Sequence, residues 1–391
     1  LRSAAQADAG SDHWLAEDRP LVLDASRAVE LRNAARISVL EPFTRPAWAR
    51  AVRFESGEWQ ALAPDGRWLT WQPRVRYAAV GGRLTEPGAW LPPAGAWVFD
   101  RDGRSPDRFD SAFLSRPHWA GAHGVDAQGR WAEVTVTGRH GTATQRLRWI
   151  PPGEFWMGSP DSEPERFDDE GRHRVVLTQG FWLADSACTQ ALWRAVLGEN
   201  PSRFGDDPEN PVERVSWNDI SERFLPELNR CVAGLAAGLP TEAQWEYACR
   251  AGSGTPFWFG EQITTEEVNH DGNYPYNKGP QGEYRERTVP VKALPANGWG
   301  LYQMHGNVWE WCLDEYDAYP NGPVVDPKDH RFVQEQGSAV EGRRRVLRGG
   351  GWMSYGRFCR CAQRFAGEPV ERPAGFGFRL ARGLAEAAPP E

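Results

Sequence analysis

The spacing of hydrophobic and polar residues predicts three short helices in the middle of the chain. Apolar residues recur at helical spacing over residues 189–197. A second apolar pattern starts at Ser216, which is followed by Asp219 and so approximates a capping box. The third helix begins at Thr241, a suitable N-cap, and Gly252 suits its end. Since strand patterns outnumber these helices, we expect an α+β fold with few helices, many short strands and long loops.

The C-terminal part of the chain does not follow these patterns. Three glycines follow Arg348, and glycine permits positive φ angles and close backbone approach. Residues 353–375 show no helical or alternating period, although aromatic and charged residues are scattered through them, and a strand signature returns at residues 377–380. Binding loops are commonly irregular segments mounted on a rigid frame. The alternative interpretation is a coiled connection between two core strands.

The order of these patterns predicts three regions. Residues 1–40 form an N-terminal arm, and residues 41–145 alternate short Trp-containing strands with Gly and Pro turns, which predicts a small β-rich region. Residues 146–384 form the main domain, with strand signals such as residues 181–183. Residues 253–300 are a long loop rich in Gly, Asn and Pro, and such a loop is usually functional or pinned, for example by an ion.

Composition excludes several classes of partner. The net charge is −8 and no basic block occurs, so we expect no nucleic acid partner. No apolar run is long enough to span a membrane, and residues 1–10 lack a signal pattern, so we expect a cytoplasmic protein. The six cysteines are dispersed and contain no C-x-x-C pair, which argues against a zinc ribbon and predicts buried, reduced thiols.

Several motifs together resemble one known family. They are WIPPGEFWMGS (149–159), NPVERVSW (210–217), GLPTEAQWEYACRAG (238–252), NGWGLYQMHGNVWEWC (297–312), RVLRGGGW (345–352) and GFRLA (377–381). Their order and spacing across about residues 149–382 resemble the formylglycine-generating enzyme, or sulfatase-modifying factor, family. The resemblance implies a C-type-lectin-like fold over the main domain. It is less specific for activity, because the family includes enzymes, non-haem iron proteins and pure binding proteins.

The resemblance also allows the enzyme's chemistry to be checked. Formylglycine-generating enzymes hold copper(I) with two cysteines after the glycines, since a soft metal prefers thiolates. In this chain Ser354 stands at the first cysteine, Cys359 at the second, and Gly351 at the family's active-site serine. We therefore predict no such activity and no copper, with Cys359 a buried packing thiol. Cys361 resembles a bridging cysteine without a partner. The iron motif H-x-x-x-H-x-E of the related sulfoxide synthases is absent from residues 1–148.

The segment 348–379 instead resembles the variable segment of diversity-generating retroelement variable proteins, which read R-G-G-S-W, C-R-x-A-x-R and G-F-R. The leading hypothesis is a non-catalytic, monomeric protein that binds an unknown protein or other macromolecule with this segment. The alternatives are a metal-dependent oxidase with an altered site and an accessory module. Candidate ligand-binding residues are Met353, Ser354, Tyr355, Phe358, Gln363, Phe365, Gly367, Glu368, Val370 and Glu371.

The resemblance further implies structural calcium, which takes six to eight oxygen ligands. One implied set comprises the side chains of Gln303 and Glu310 with the carbonyls of Gly306 and Val308; a second comprises the side chains of Asn269 and Glu283 with the carbonyls of His270 and Arg285. Gln303 departs from the family's usual asparagine. The alternative for Glu310 is a buried carboxylate bonded to backbone amides. Trp309 and Trp311 are expected in the core.

Overall fold

The computed structural model describes residues 116–382, apart from residues 127, 139, 152, 178, 321 and 328–342, together with the backbone of seven earlier strands. The chain divides into two compact units, Leu1–Pro117 with Gly124–Gly129 and His118–His123 with Arg130–Glu391. The predicted domain boundaries at residues 40, 145 and 384 stay predictions.

The seven earlier strands are all short. They are β1 (Arg36–Val39), β2 (Ala51–Glu55), β3 (Glu58–Leu62), β4 (Trp68–Thr70), β5 (Tyr77–Val80), β6 (Trp97–Phe99) and β7 (Pro106–Arg108). They form two antiparallel sheets with strand orders β1-β5-β6-β7 and β2-β3-β4. Strands β2–β7 confirm the predicted β-rich character of residues 41–145. Of the predicted arm, residues 1–40, the structure describes only β1.

The later strands form three further sheets. They are β8 (Ala122–Asp126), β9 (Gly129–Gly138), β10 (Gly141–Ile150), β11 (Gly153–Met157), β12 (His173–Leu177), β13 (Phe181–Ala184), β14 (Trp309–Glu315), β15 (Val324–Val325), β16 (Arg345–Arg348), β17 (Arg364–Gly367), β18 (Phe376–Gly377) and β19 (Ala381–Arg382). The sheet orders are β19-β13-β10-β9-β8, β17-β16-β14-β18 and β11-β12-β15. Strands β16 and β18 lie at the two ends of the irregular C-terminal segment and both pair with β14, so both ends are anchored in one sheet. Strand β17, within the segment, pairs with β16.

Three α-helices lie where the hydrophobic pattern predicts them. Helix α1 (Gln190–Leu197) is capped by the Thr189 side chain, and α3 (Glu242–Arg250) has a complete capping box between Thr241 and Gln244. Helix α2 (Leu225–Cys231) follows a π-helical stretch, Asp219–Phe224, which the sequence pattern did not distinguish. The residue that closes α3 in the left-handed conformation is Ala251, one position before the predicted Gly252.

The core and the long loop complete the main domain. Trp309 and Trp311 are buried, as predicted. Residues 251–308, all of which are described, contain turns and single bridges but no helix or strand. Side-chain amides hold this loop: Asn297 Oδ1 accepts the amides of Trp299 and Leu301, and Asn307 Oδ1 accepts that of Val289. Within the described part of the chain, no helix has the length and apolar character needed to cross a membrane.

Candidate functional site

The base of the C-terminal segment is held by a buried arginine. Arg360 donates to Glu163 at 2.6 Å and to both oxygens of Glu170 at 2.6 and 2.8 Å, and all three side chains are buried. Burial raises the pKa of the Glu163 carboxyl, although Arg360 acts to lower it. Because the two carboxylates precede Arg360 by nearly two hundred residues, this cluster joins distant parts of the chain.

A second buried cluster lies under β16 and β17. Arg348 pairs with Glu246, while Arg364 donates to both oxygens of Glu242 at 2.6 and 2.8 Å. Burial opposes ionisation of Glu242, but Arg364 and Arg348 together hold its carboxyl pKa below its ordinary value. Strands β16 and β17 are therefore tied to helix α3 by charge-assisted hydrogen bonds.

The glycines bring the backbone against the segment at close range. Gly349 and Gly350 have φ of 96° and 77°, values that L side chains rarely adopt. A Cβ on Gly350 would lie 2.6 Å from Cys359 Sγ, and one on Gly349 would lie 3.1 Å from Trp245. The close backbone approach that the glycines permit therefore occurs where β16 ends, and only glycine fits there without displacement.

The irregular segment carries exposed apolar side chains on this buried frame. Among the residues whose side chains the structure describes, seven large hydrophobic residues are exposed, and four of them belong to the predicted binding set. These are Met353 at 54%, Tyr355 at 42%, Phe365 at 43% and Val370 at 65% exposure. Glu371 is also exposed, and Phe358 and Glu368 are half-buried. Seven of the ten predicted positions are therefore accessible at least in part.

The remaining three predicted positions are buried and do not contribute to an accessible surface. The Ser354 hydroxyl accepts the amide of Gly351 at 2.9 Å, which folds the turn after the glycines. The side chain of Gln363 lies beside Arg360 and donates to the backbone of Arg364. A Cβ on Gly367 would lie 2.6 Å from the Trp311 ring, so this position has no room for a side chain.

One exposed aromatic residue was missed by the sequence analysis. Tyr274, in the long loop, is half exposed and stacks on Tyr355 with ring centroids 4.0 Å apart. Its carbonyl also accepts the amide of Gly356. Only its place in a loop hints at this role in the sequence, because the residues that meet it lie about eighty positions later. Tyr274 therefore extends the accessible surface beyond the C-terminal segment.

Cys359 lies directly beneath this surface. The side chain is fully buried, and burial raises the pKa of its thiol to about 12. Its sulfur lies against Gly350 and 3.9 Å from the carbonyl of Tyr355. Ser354, at the position of the enzyme's first cysteine, is committed to the Gly351 amide. The predicted burial of Cys359 is confirmed.

Two expectations about the other cysteines need correction. Cys361 was expected to lack a partner, but its sulfur lies 3.7 Å from that of Cys249, at the end of helix α3. Sequence separation of more than one hundred residues concealed this pairing. Cys231 was expected to be buried, but it is exposed at the end of α2, where the helix meets solvent.

The first implied calcium set is already occupied by protein groups. Glu310 accepts Arg379 Nε at 2.6 Å and Nη2 at 2.8 Å, and also Trp245 Nε1 at 2.7 Å. The Gln303 side-chain oxygen accepts a hydrogen bond from the side-chain nitrogen of Asn307. These donors satisfy the carboxylate without an ion, so the arrangement around Gly306 and Val308 does not fit calcium as it stands.

The second implied set fits a cation better. Asn269 is fully buried, its Nδ2 donates to the Arg287 carbonyl and to Asn307, and its Oδ1 has no hydrogen-bond partner among the described residues. His270 is buried beside it, whereas the Glu283 side chain is largely exposed and contacts Arg285 at 3.2 Å. A buried, unpaired amide oxygen is a suitable ligand for a hard cation.

Comparison with known proteins is consistent with this architecture. Residues 134–384 match the sulfatase-modifying factor enzyme 1-like domain. The formylglycine-generating enzyme of Mus musculus is 33% identical over 333 residues, covering 68% of this chain and 84% of that protein. The enzyme of Streptomyces coelicolor is 35% identical over 239 residues, covering 56% and 70%. Among solved structures, Treponema denticola variable protein 1 superposes with a TM-score of 0.51 at 23% identity, covering 64% of this chain and 98% of that one. The predicted α+β, C-type-lectin-like fold is confirmed.

Proposed function

This chain belongs to the family of the sulfatase-modifying factor enzymes, and within it we propose a member that binds a macromolecular ligand without catalysing a reaction. The binding surface is the irregular segment between Arg348 and Arg379, with Tyr274 beside it. The single observation that carries this proposal is the contrast within the segment: apolar side chains face solvent, while Arg360, Arg364, Cys359 and Cys361 beneath them are buried.

The exposed side chains have the chemistry of a recognition surface. Tyr355 and Phe365 are rigid aromatic residues, which give large contact area at low cost in conformational entropy. Soluble proteins rarely gather exposed apolar residues in one segment unless that segment binds something. The likeness in fold to a protein named as a variable protein supports the same proposal.

The catalytic alternative has less support, although the curated relatives are enzymes. A copper(I) site of the enzyme type needs two thiolates. This chain offers a hydroxyl at Ser354 and a protonated, inaccessible thiol at Cys359. We therefore propose that the enzyme's reaction is lost while its fold is retained.

A test of the proposal is comparison of this gene across closely related isolates. We expect substitutions to concentrate in the exposed codons, those of Met353, Tyr355, Phe365, Val370 and Glu371. Buried positions such as Arg360 should stay constant, because their replacement destabilises the fold. The adjacent DNA should carry a near-identical repeat of the segment. A segment that is invariant across isolates, or one that varies equally at buried positions, would contradict a diversified binding surface.

For calcium, we propose binding at the second set alone, with the Asn269 side chain as a central ligand. Millimolar calcium should raise the melting temperature of the wild-type protein, and Asn269→Ala should abolish that rise. Glu283→Gln should weaken it, since one carboxylate ligand is lost. The matched control is Gln303→Ala at the first set, which should leave the calcium response unchanged. An equal response in wild type and Asn269→Ala would reject this assignment.

A further inference from the structure

Three side chains of types that bind zinc, two thiols and an imidazole, converge in the interior below the C-terminal segment. Cys249 is at the end of helix α3, His305 is in the loop before β14, and Cys361 follows the 3₁₀ turn Gly356–Cys359. All three are buried, and their ligand atoms lie within 4.8 Å of one another. They come from three parts of the chain and match no short motif. We propose that this cluster binds one zinc ion.

The distances suit a single zinc ion. Two sulfurs bound to one tetrahedral zinc at about 2.3 Å lie about 3.8 Å apart, and a sulfur and an imidazole nitrogen about 3.6 Å apart. Here the two sulfurs are 3.7 Å apart, and Cys249 Sγ is 3.8 Å from His305 Nε2. The cluster supplies three protein ligands, and a water molecule is the usual fourth ligand of zinc at such sites. Cys249 Sγ also lies 3.9 Å from His305 Nδ1, so coordination requires the sulfur to move towards the lone pair of Nε2.

The orientation of His305 supports the same conclusion. Its Nδ1 lies 2.6 Å from the carbonyl of Cys359 and must donate there, which leaves Nε2 with the lone pair. Metal-binding histidines usually donate their other ring nitrogen to a carbonyl or carboxylate in this way. Nε2 accepts a 3.2 Å bond from the amide of half-buried Trp258 and lies 3.8 Å from Cys249 Sγ, and a bound metal would replace the Trp258 bond.

Charge balance also favours zinc at this site. Both cysteines bind zinc as thiolates, so the two negative charges neutralise one divalent cation. Carboxylates are absent from the cluster, and soft sulfur donors select zinc over calcium or magnesium. A bound ion joins α3, the loop before β14 and the C-terminal segment, and so fixes the floor of the proposed binding surface. The site is independent of whether that surface binds a ligand.

The proposal is tested on the full chain, purified under reducing conditions from zinc-supplemented cultures and dialysed against metal-free buffer. Elemental analysis should find one zinc per chain in the wild type, and little in Cys249→Ser or Cys361→Ser. The matched control is Cys359→Ser, because Cys359 is equally buried and only two residues from Cys361 but lies outside the cluster. It should retain the zinc.

Cobalt substitution of the wild type guards against misfolding of the variants. Cobalt bound here should give intense visible bands of a tetrahedral site and a thiolate-to-metal charge-transfer band. Wild-type protein that contains no zinc and shows no such bands would overturn the proposal. So would peptide mapping that finds Cys249 and Cys361 joined as a disulfide under the same reducing conditions.

Discussion

Replacing Arg360 with methionine is expected to lower the free energy of unfolding by about 3–5 kcal/mol, measured by urea denaturation at pH 7. Methionine fills much of the arginine's volume, so the loss of stability comes mainly from removal of the positive charge. Glu163 and Glu170 would remain in the interior without the guanidinium that they now share at 2.6–2.8 Å. An unpaired buried carboxylate is costly because it has lost its water and gained nothing in return.

The pH dependence gives this prediction a second, independent readout. Arg360 acts to lower the pKa of Glu163, so its removal raises that already elevated pKa further. A carboxyl whose folded pKa lies above its unfolded pKa binds protons preferentially in the folded state, so the variant should gain stability relative to wild type as the pH falls from 7 towards 5. A constant difference across this range would contradict the assignment.

Two variants serve as controls for Arg360→Met. Arg230→Met removes an arginine that pairs with Glu227 at 2.5 Å on the surface of α2, where Arg230 is 74% exposed, and should change the melting temperature little. Adding Glu163→Gln and Glu170→Gln to Arg360→Met should restore much of the lost stability. Similar losses of stability for Arg360→Met and Arg230→Met would mean that burial of Arg360 with its two carboxylates does not determine the effect.

Local features of the fold were predictable because their signals are close together in the sequence. The Thr241–Gln244 capping box involves residues three apart, and Ser216 and Asp219 form reciprocal bonds of 3.0 and 3.1 Å over the same spacing. Ala251 instead of Gly252 closes α3, a difference of one residue that terminal signals do not resolve. The helices and their caps can therefore be predicted from residues that are close together in the sequence.

The site was predictable only in part, because its geometry depends on distant residues. Alternation did not distinguish exposed Met353 from buried Ser354, since the segment has no regular period and the Gly351 amide decides the turn. Tyr274 and Cys249 reach the segment from about eighty and one hundred and ten positions away. The paired charges of Arg360 carry no local sequence signal either. Such partners follow from the tertiary fold and not from spacing.

Wild-type protein is expected to form no detectable aldehyde from a cysteine-containing peptide when supplied with copper(I) and oxygen, as followed by mass spectrometry. The formylglycine-generating enzyme of Streptomyces coelicolor is the positive control. The physical reason is the state of Cys359. With its pKa raised to about 12, the Cys359 thiol stays protonated at pH 7. Its full burial also denies access to a copper donor.

The variant Ser354→Cys tests whether activity is absent because the first cysteine is missing or because the surrounding structure buries Cys359. It restores a second cysteine at the position that the resemblance assigns, yet Cys359 remains buried beneath Gly350 and protonated. We therefore expect no aldehyde from this variant either, with a thermal melt to show that it is folded. Turnover by the wild type would overturn the non-catalytic proposal, because one thiol would then suffice. Turnover by Ser354→Cys alone would show that the enzyme's site persists and that a single substitution removed its activity.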